Sequence, residues 1–259
     1  MTGSAAGLGA ALARALLADG WAVTGVDRDG VETSRALPLR GRGAGAADGG
    51  GAATSEPCTH VRTDLSDPAA VDDLLDRLDT PFDLVILNAG VSATGRFEAI
   101  PADAHARLLA VNAEAPLVLA DGLVSRGLLP DGAALVLVAS LSVDVGYPGA
   151  ASYAASKDAI AAYGRSIAKA RKRLRVTTVH PGPIRTGHAA RHAPPGAREA
   201  GRMDPDALAR RILARAPKGG TLRPGPAAGL AGLAGRLVPG ATARAMRRAL
   251  FDRLDREVW

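Results

Sequence analysis

Short apolar runs that alternate with helical patterns constrain this chain more than any other feature. Phe82–Leu87, Ala133–Ala139 and Leu174–Val179 are such runs, rich in Val, Leu and Ile. Each reads as a strand buried on both faces of a sheet. Helical patterns lie between them: Asp67 to about Leu78, with Asp67 as N-cap and Pro68 in the first turn, then roughly Ala102–Ser125 and Ala-rich Ser152–Arg171. Earlier, a helix over Ala10–Asp19 leads into a strand over Trp21–Val26, and a short strand covers His60–Arg62. Strands joined by helices require crossovers and a parallel sheet. The expected architecture is α/β, a doubly wound parallel sheet with its ligand beyond the carboxyl ends of the strands. After His180-Pro-Gly-Pro183 the alternation weakens into a polar loop at 186–202, a helix at 205–216, an edge strand at 219–223 and a helical Ala/Leu/Arg-rich tail. The predicted division is one domain over 1–225 with an extension over 226–259. Residues 30–57, rich in Gly, Ala and Arg, read as a long low-complexity loop.

The 259 residues, 47% apolar, are ample for one large core. No run of eighteen uninterrupted apolar residues is present, and the N-terminus shows no basic leader, so neither a membrane span nor a secretory signal is expected. The single cysteine, Cys58, excludes an internal disulfide framework and fits a cytoplasmic protein. The net charge of +6 is uneven: residues 185–259 hold 15 Lys+Arg against 6 Asp+Glu, leaving 17 against 20 elsewhere. A basic final third suits an anionic substrate, membrane or nucleic acid, but the scarcity of lysine points to codon bias. No aromatic residues interleave with the arginines, so no nucleic-acid partner is expected.

Two patterns carry chemistry. In Thr2-Gly3-Ser-Ala-Ala-Gly7-Leu8-Gly9 the glycines allow a sharp turn into a helix whose N-terminal N–H groups can meet a pyrophosphate. Asp27, eighteen residues past Gly9, is placed to accept hydrogen bonds from a ribose 2′-OH, which favours NAD(H). Arg28 beside it keeps NADP(H) open. Tyr153-Ala-Ala-Ser-Lys157 puts a phenol and an ammonium on one helix face. The ammonium should lower the tyrosine pKa toward working pH and make it a proton donor to a carbonyl oxygen. Ser140, thirteen residues earlier at a strand end, is placed to hold the same oxygen.

With these motifs in order, the chain resembles the short-chain dehydrogenase/reductases from Thr2 to about Thr221. The resemblance implies a Rossmann-type single domain that interconverts a carbonyl and a secondary alcohol by hydride transfer. It implies that Asp64 and Leu65 contact adenine and that Asn88-Ala89-Gly90 closes a strand beside the cofactor. Asn112 resembles the asparagine that holds a relay water and completes a tetrad with Ser140, Tyr153 and Lys157. The segment Pro181-Gly182-Pro-Ile184-Arg-Thr186 is similar to the one that binds the nicotinamide amide, and Lys157 is implied to bond the nicotinamide ribose. Alternatives are an NADPH-linked 3-oxoacyl reductase and a cofactor-binding protein that turns nothing over. A homo-oligomer, dimer or tetramer, is expected.

No histidine pairs with Cys or carboxylates at metal-ligand spacing, so no metal is expected. His188 and His192 lie in a segment that reads as a mobile lid. In the tail, Met246, Leu250, Leu254 and Val258 have helical spacing. That face is expected to pack on the body or another subunit, with an anionic membrane surface as the lesser alternative. The first strand of the family is truncated here: Met1 stands where a valine commonly precedes Thr-Gly. Since GUG encodes internal valine and also serves as a bacterial start codon, Met1 is expected to stand for that valine, with a strand upstream.

Overall fold

The structure, a computed structural model, describes residues 1–29, 58–197, 199–254 and 257–259; the predicted loop over 30–57 lies outside them. The chain opens with α1 (Gly7–Ala18), β1 (Val23–Asp27), β2 (Cys58–Arg62), α2 (Pro68–Arg77) and β3 (Leu84–Leu87). Next come α3 (Ala102–Leu109), a π turn (Ala110–Glu114) and α4 (Ala115–Ser125), which run on as one helix. Then follow β4 (Ala134–Val138), α5 (Ser142–Val145), α6 (Ala151–Ala170), β5 (Arg175–Val179) and α7 (Gly187–Arg191). The last elements are α8 (Pro205–Arg215), β6 (Gly220–Leu222), α9 (Pro226–Leu237) and α10 (Pro239–Ala249).

All strand pairs are parallel: β1 with β2, and β3, β4, β5 and β6 in sequence. Thr2 joins the two parts through single bridges to Val26 of β1 and Leu87 of β3. The strand order therefore reverses at Thr2, and the glycine turn lies directly beyond it, at the switch point where such sheets hold ligands. Below Thr2, β1 and β3 do not pair; Met1, Thr24, Phe82, Leu84 and Leu123 line a narrow slot between them. The strand expected upstream of Met1 would lie along this slot.

The sheet is covered on both faces because its central strands are apolar at every position. In β4 all five residues are buried. Leu135 and Leu137 face α2, α4 and α6, where they meet Leu74, Leu119 and Ile160. Val136 and Val138 face α1 and α8, among Leu12, Leu208 and Ile212. This is the period-two alternation of a strand with no solvent face. The 24-residue helix Ala102–Ser125 is long and apolar enough to pass a length-and-hydropathy test for a membrane span. Leu108, Leu119 and Leu123 on it are core residues, which makes it a covering helix of the sheet.

Two expectations are corrected. The polar loop at 186–202 contains α7, capped by Thr186, whose hydroxyl oxygen accepts from Ala189 N–H at 3.1 Å. The tail is not one helix: α10 ends at Ala249, and Val258 pairs antiparallel with Thr94 through two 2.8 Å backbone hydrogen bonds. Leu254 lies against Gly149, so the end of the chain folds back beside the segment leading into α6.

Candidate active site

The glycine turn is built by close approach. A methyl group at Gly9 would overlap the Gly3 carbonyl oxygen, and Gly7, at φ 53°, lies against Thr186. Asn88 braces the turn from β3, donating its amide hydrogens to the Thr2 and Gly3 carbonyls at 3.3 and 3.2 Å. The Thr2 hydroxyl oxygen accepts from the N–H groups of Asn88 and Ala89. No side chain caps α1, whose N-cap is Ala6. Its first N–H groups and the positive end of its dipole therefore face the cleft, the arrangement that suits a phosphate.

That cleft has a volume of about 530 Å³, within the ordinary range for cofactor sites. At one end are Gly3, Gly7, Leu8, Asp27, Asp64 and Leu65; at the other are Ala89, Gly90, Tyr153, Lys157, Pro181, Ile184 and Thr186. Asn88 stands between. Asp27 accepts from Ala5 N–H at 2.9 Å and from Asp29 N–H at 3.2 Å, one bond to each oxygen. A carboxylate so held keeps lone pairs for a ribose diol. Asp64 is gripped by Ser66 through its hydroxyl at 2.7 Å and its N–H at 2.9 Å, and those bonds hold its carboxyl below the usual range. Gly9 and Gly182 do not line the cleft; Gly9 shapes the turn, and Gly182 packs near Leu141.

At the far end of the cleft, α6 presents Tyr153 and Lys157 one turn apart. Lys157 Nζ lies 5.8 Å from the Tyr153 ring centroid and donates to the Val138 carbonyl at 2.9 Å. Burial lowers its pKa to about 8. Ser140 accepts from Ser142 N–H at 3.1 Å, which leaves its own proton to donate, and it acts to lower the Tyr153 pKa. The expected lowering of the Tyr153 pKa by Lys157 does not occur in this arrangement. Burial raises it, and Ser140 only partly offsets that rise. The ammonium donates instead to the Val138 carbonyl and does not offset that rise. Asn112 sits in the π turn with its side chain clamped on Val91 by two 2.8 Å bonds and donating to Ser156 at 3.1 Å. Its amide fixes the backbone beside the cleft, and both amide hydrogens are in use.

Several residues here have no signature in the sequence. Arg107 reaches Asp64 at 3.6 Å, and His188 and Arg191 of α7 line the cleft. His192 is buried and bonded to the Thr94 hydroxyl at 3.1 Å; burial, His188 and Arg191 bring its pKa down to about 4. Burial and then Lys157 lower His188 as well. Behind Ser140, Asp144 takes Arg223 on both oxygens at 2.8 Å and His180 at 3.3 Å. This buried clamp ties the segment after Ser140 to the ends of β5 and β6.

The sequence pattern of the family described as short chain dehydrogenase matches residues 1–195, and the chain belongs to that family. It is 31% identical over 230 residues to the short-chain type dehydrogenase/reductase y4vI of Sinorhizobium fredii, covering 86% of this chain and 37% of that protein. The chain thus spans little more than a third of that relative's length. It is 29% identical to the cyclic-di-GMP-binding biofilm dispersal mediator protein of Escherichia coli, over 71% of each chain. Among solved structures, a short chain dehydrogenase from Burkholderia cenocepacia in complex with NADP superposes with a TM-score of 0.70 at 24% identity, over 95% of this chain and 94% of that one. A 4-hydroxyisoleucine dehydrogenase complexed with NADH gives 0.68 at 21% identity, over 83% and 88%. At these identities the structural likeness concerns the Rossmann-like fold.

Proposed function

We propose that the protein is an NAD(P)-dependent oxidoreductase that reduces a small-molecule ketone or oxidises the matching secondary alcohol, with Tyr153 as general acid and base. The observation that carries this reading is one cleft with an uncapped, glycine-built helix N-terminus at one end and Tyr153 and Lys157 at the other, with Ser140 next in the chain to the lining residue Ala139. The cradle fits a dinucleotide: its glycines leave no room for side chains, and its N–H groups suit a pyrophosphate. Gly3, Gly7, Asp27 and Asn88 would hold the adenosine and phosphate portion, and Lys157, Pro181, Ile184 and Thr186 the nicotinamide portion. The nicotinamide supplies the chemistry of hydride transfer to or from carbon.

The side chains move and hold the proton. Ser140 donates a hydrogen bond to the substrate oxygen. Tyr153 gives its phenolic proton to that oxygen as the carbon is reduced, and takes one back in the reverse direction. Lys157, one turn from Tyr153 on α6, would hold the nicotinamide ribose beside the phenol. The raised pKa of Tyr153 keeps it protonated, the form needed for reduction. With Asp27 ready for a ribose diol, NADH is the preferred cofactor in this reading. Arg28, which meets Asp29 at 3.4 Å, remains the rival feature that would favour NADPH.

The test is turnover of NADH and NADPH with a panel of ketones, and of the oxidised cofactors with secondary alcohols. Turnover with at least one substrate class, absent in Tyr153→Phe, is expected. Tight cofactor binding with no turnover across the panel overturns the proposal in favour of a silent cofactor-binding protein.

A further inference from the structure

Helix α9 is built inside out. Gly232 is buried against Arg223 and Asp144, and a methyl group at Gly235 would overlap the Asp144 carbonyl oxygen. The helix thus packs on α5 through glycines. Its leucines point the other way: Leu230, Leu233 and Leu237 fall within a sector of about 60° at 3.6 residues per turn. They are 69%, 53% and 71% exposed, and Val238 at the joint to α10 is 52% exposed. A surface helix that served only the body of the protein would bury its leucines. This one gives its close-packing face to glycine and leaves a continuous apolar stripe uncovered.

The charge around the stripe selects its partner. Residues 226–251 contain four arginines and no Asp or Glu. On α10, Arg247 pairs with Asp252 at 3.3 Å, whereas Arg244 and Arg248 are exposed and make no ion pair with a described residue. A twofold contact between copies centred on the stripe would bring arginine-rich helices together with no acidic residue in either to pair them, and like charges oppose such a contact. An anionic lipid surface satisfies both features at once, with leucines in the acyl boundary and guanidiniums among phosphates.

We infer that the α9–α10 hairpin docks the protein peripherally on anionic membranes through Leu230, Leu233, Leu237 and Val238, with Arg244 and Arg248 supplying electrostatic attraction. The stripe predicted from the sequence plays a different role. Met246 and Leu250 are partly buried, Leu254 packs on Gly149 and Val258 pairs with Thr94, so that face belongs to the body.

Co-sedimentation of the full chain with phosphatidylcholine vesicles, with or without phosphatidylglycerol, tests this. Binding only to the anionic vesicles, weakened by salt, is expected. Leu233→Ser/Leu237→Ser should abolish it, and Arg244→Gln/Arg248→Gln should weaken it by about fivefold for each guanidinium removed. Each variant is checked for unchanged NAD(P)H binding, because neither pair touches the cleft. Equal binding by wild type and the leucine variant overturns the inference. So does an absence of vesicle binding combined with a dimer that Leu233→Ser/Leu237→Ser dissociates, which would assign the stripe to a second copy.

Discussion

Tyr153 and Lys157 were legible because the chemistry fixes their spacing. Four residues on a helix is one turn, and few other pairings of a phenol with an ammonium place both in one cleft. If Tyr153 carries the proton, Tyr153→Phe should lower kcat by about 100- to 10,000-fold and leave NADH binding nearly unchanged, as steady-state rates and a fluorescence titration would show. A variant retaining a tenth of the rate would remove Tyr153 from its assigned role. Asp27→Ala should weaken NADH binding and relatively favour NADPH; equal loss for both would show that the carboxylate mainly braces Ala5 and Asp29. Lys157 gives a prediction for the cofactor-free protein. Its folded pKa, near 8, lies below its ordinary 10.5. Between those values the unfolded chain holds a proton that the folded chain lacks, so stability should rise with pH, by at most about 3 kcal/mol. Above about pH 10 the raised pKa values of Tyr147 and Tyr153 act oppositely, since the folded phenols keep protons that the unfolded ones lose. Urea midpoints measured from pH 8 to 10 should climb in the wild type and climb markedly less in Lys157→Met.

Among elements, the central strands and the helices that bury a full face follow from apolar period alone. The glycine turn also follows, because its close backbone approaches forbid side chains. Gly9→Ala should therefore disrupt the turn and abolish detectable cofactor binding, read by the same titration, with a lowered melting temperature as the cost of the overlap with Gly3. The lid helix α7 was hidden: five residues with prolines and glycines around them carry no helical period, and α7 is held by tertiary partners such as the Thr94–His192 bond. The role of the Asn112 side chain was hidden by the π turn, which shifts it relative to a regular helix. The Asp144–Arg223–His180 clamp joins residues far apart in the chain, and no local pattern marks such a meeting.

At the scale of the molecule, the sheet is joined at one residue, Thr2, above the slot between β1 and β3. Backbone groups along that slot lack a neighbouring strand, and its walls are apolar. Five apolar β-formers added ahead of Met1 would bury roughly 1.5–3 kcal/mol of side-chain transfer energy each, against about 1–2 kcal/mol each for ordering. The net is a few kcal/mol, or several degrees in melting temperature. Differential scanning calorimetry of the extended chain should show that rise, with the added residues resistant to protease. An unchanged melting temperature with the extension readily cleaved would show that the slot does not accept a strand.

The pairing of Val258 with Thr94 has a consequence for where changes at the end of the chain are felt. The glycine turn lies in the first residues of the chain, whereas Val258 is bonded to Thr94 and Leu254 covers Gly149 just ahead of α6. Sequence changes near position 258 would therefore be felt at the segment leading into the Tyr153–Lys157 helix before they are felt at the glycine turn.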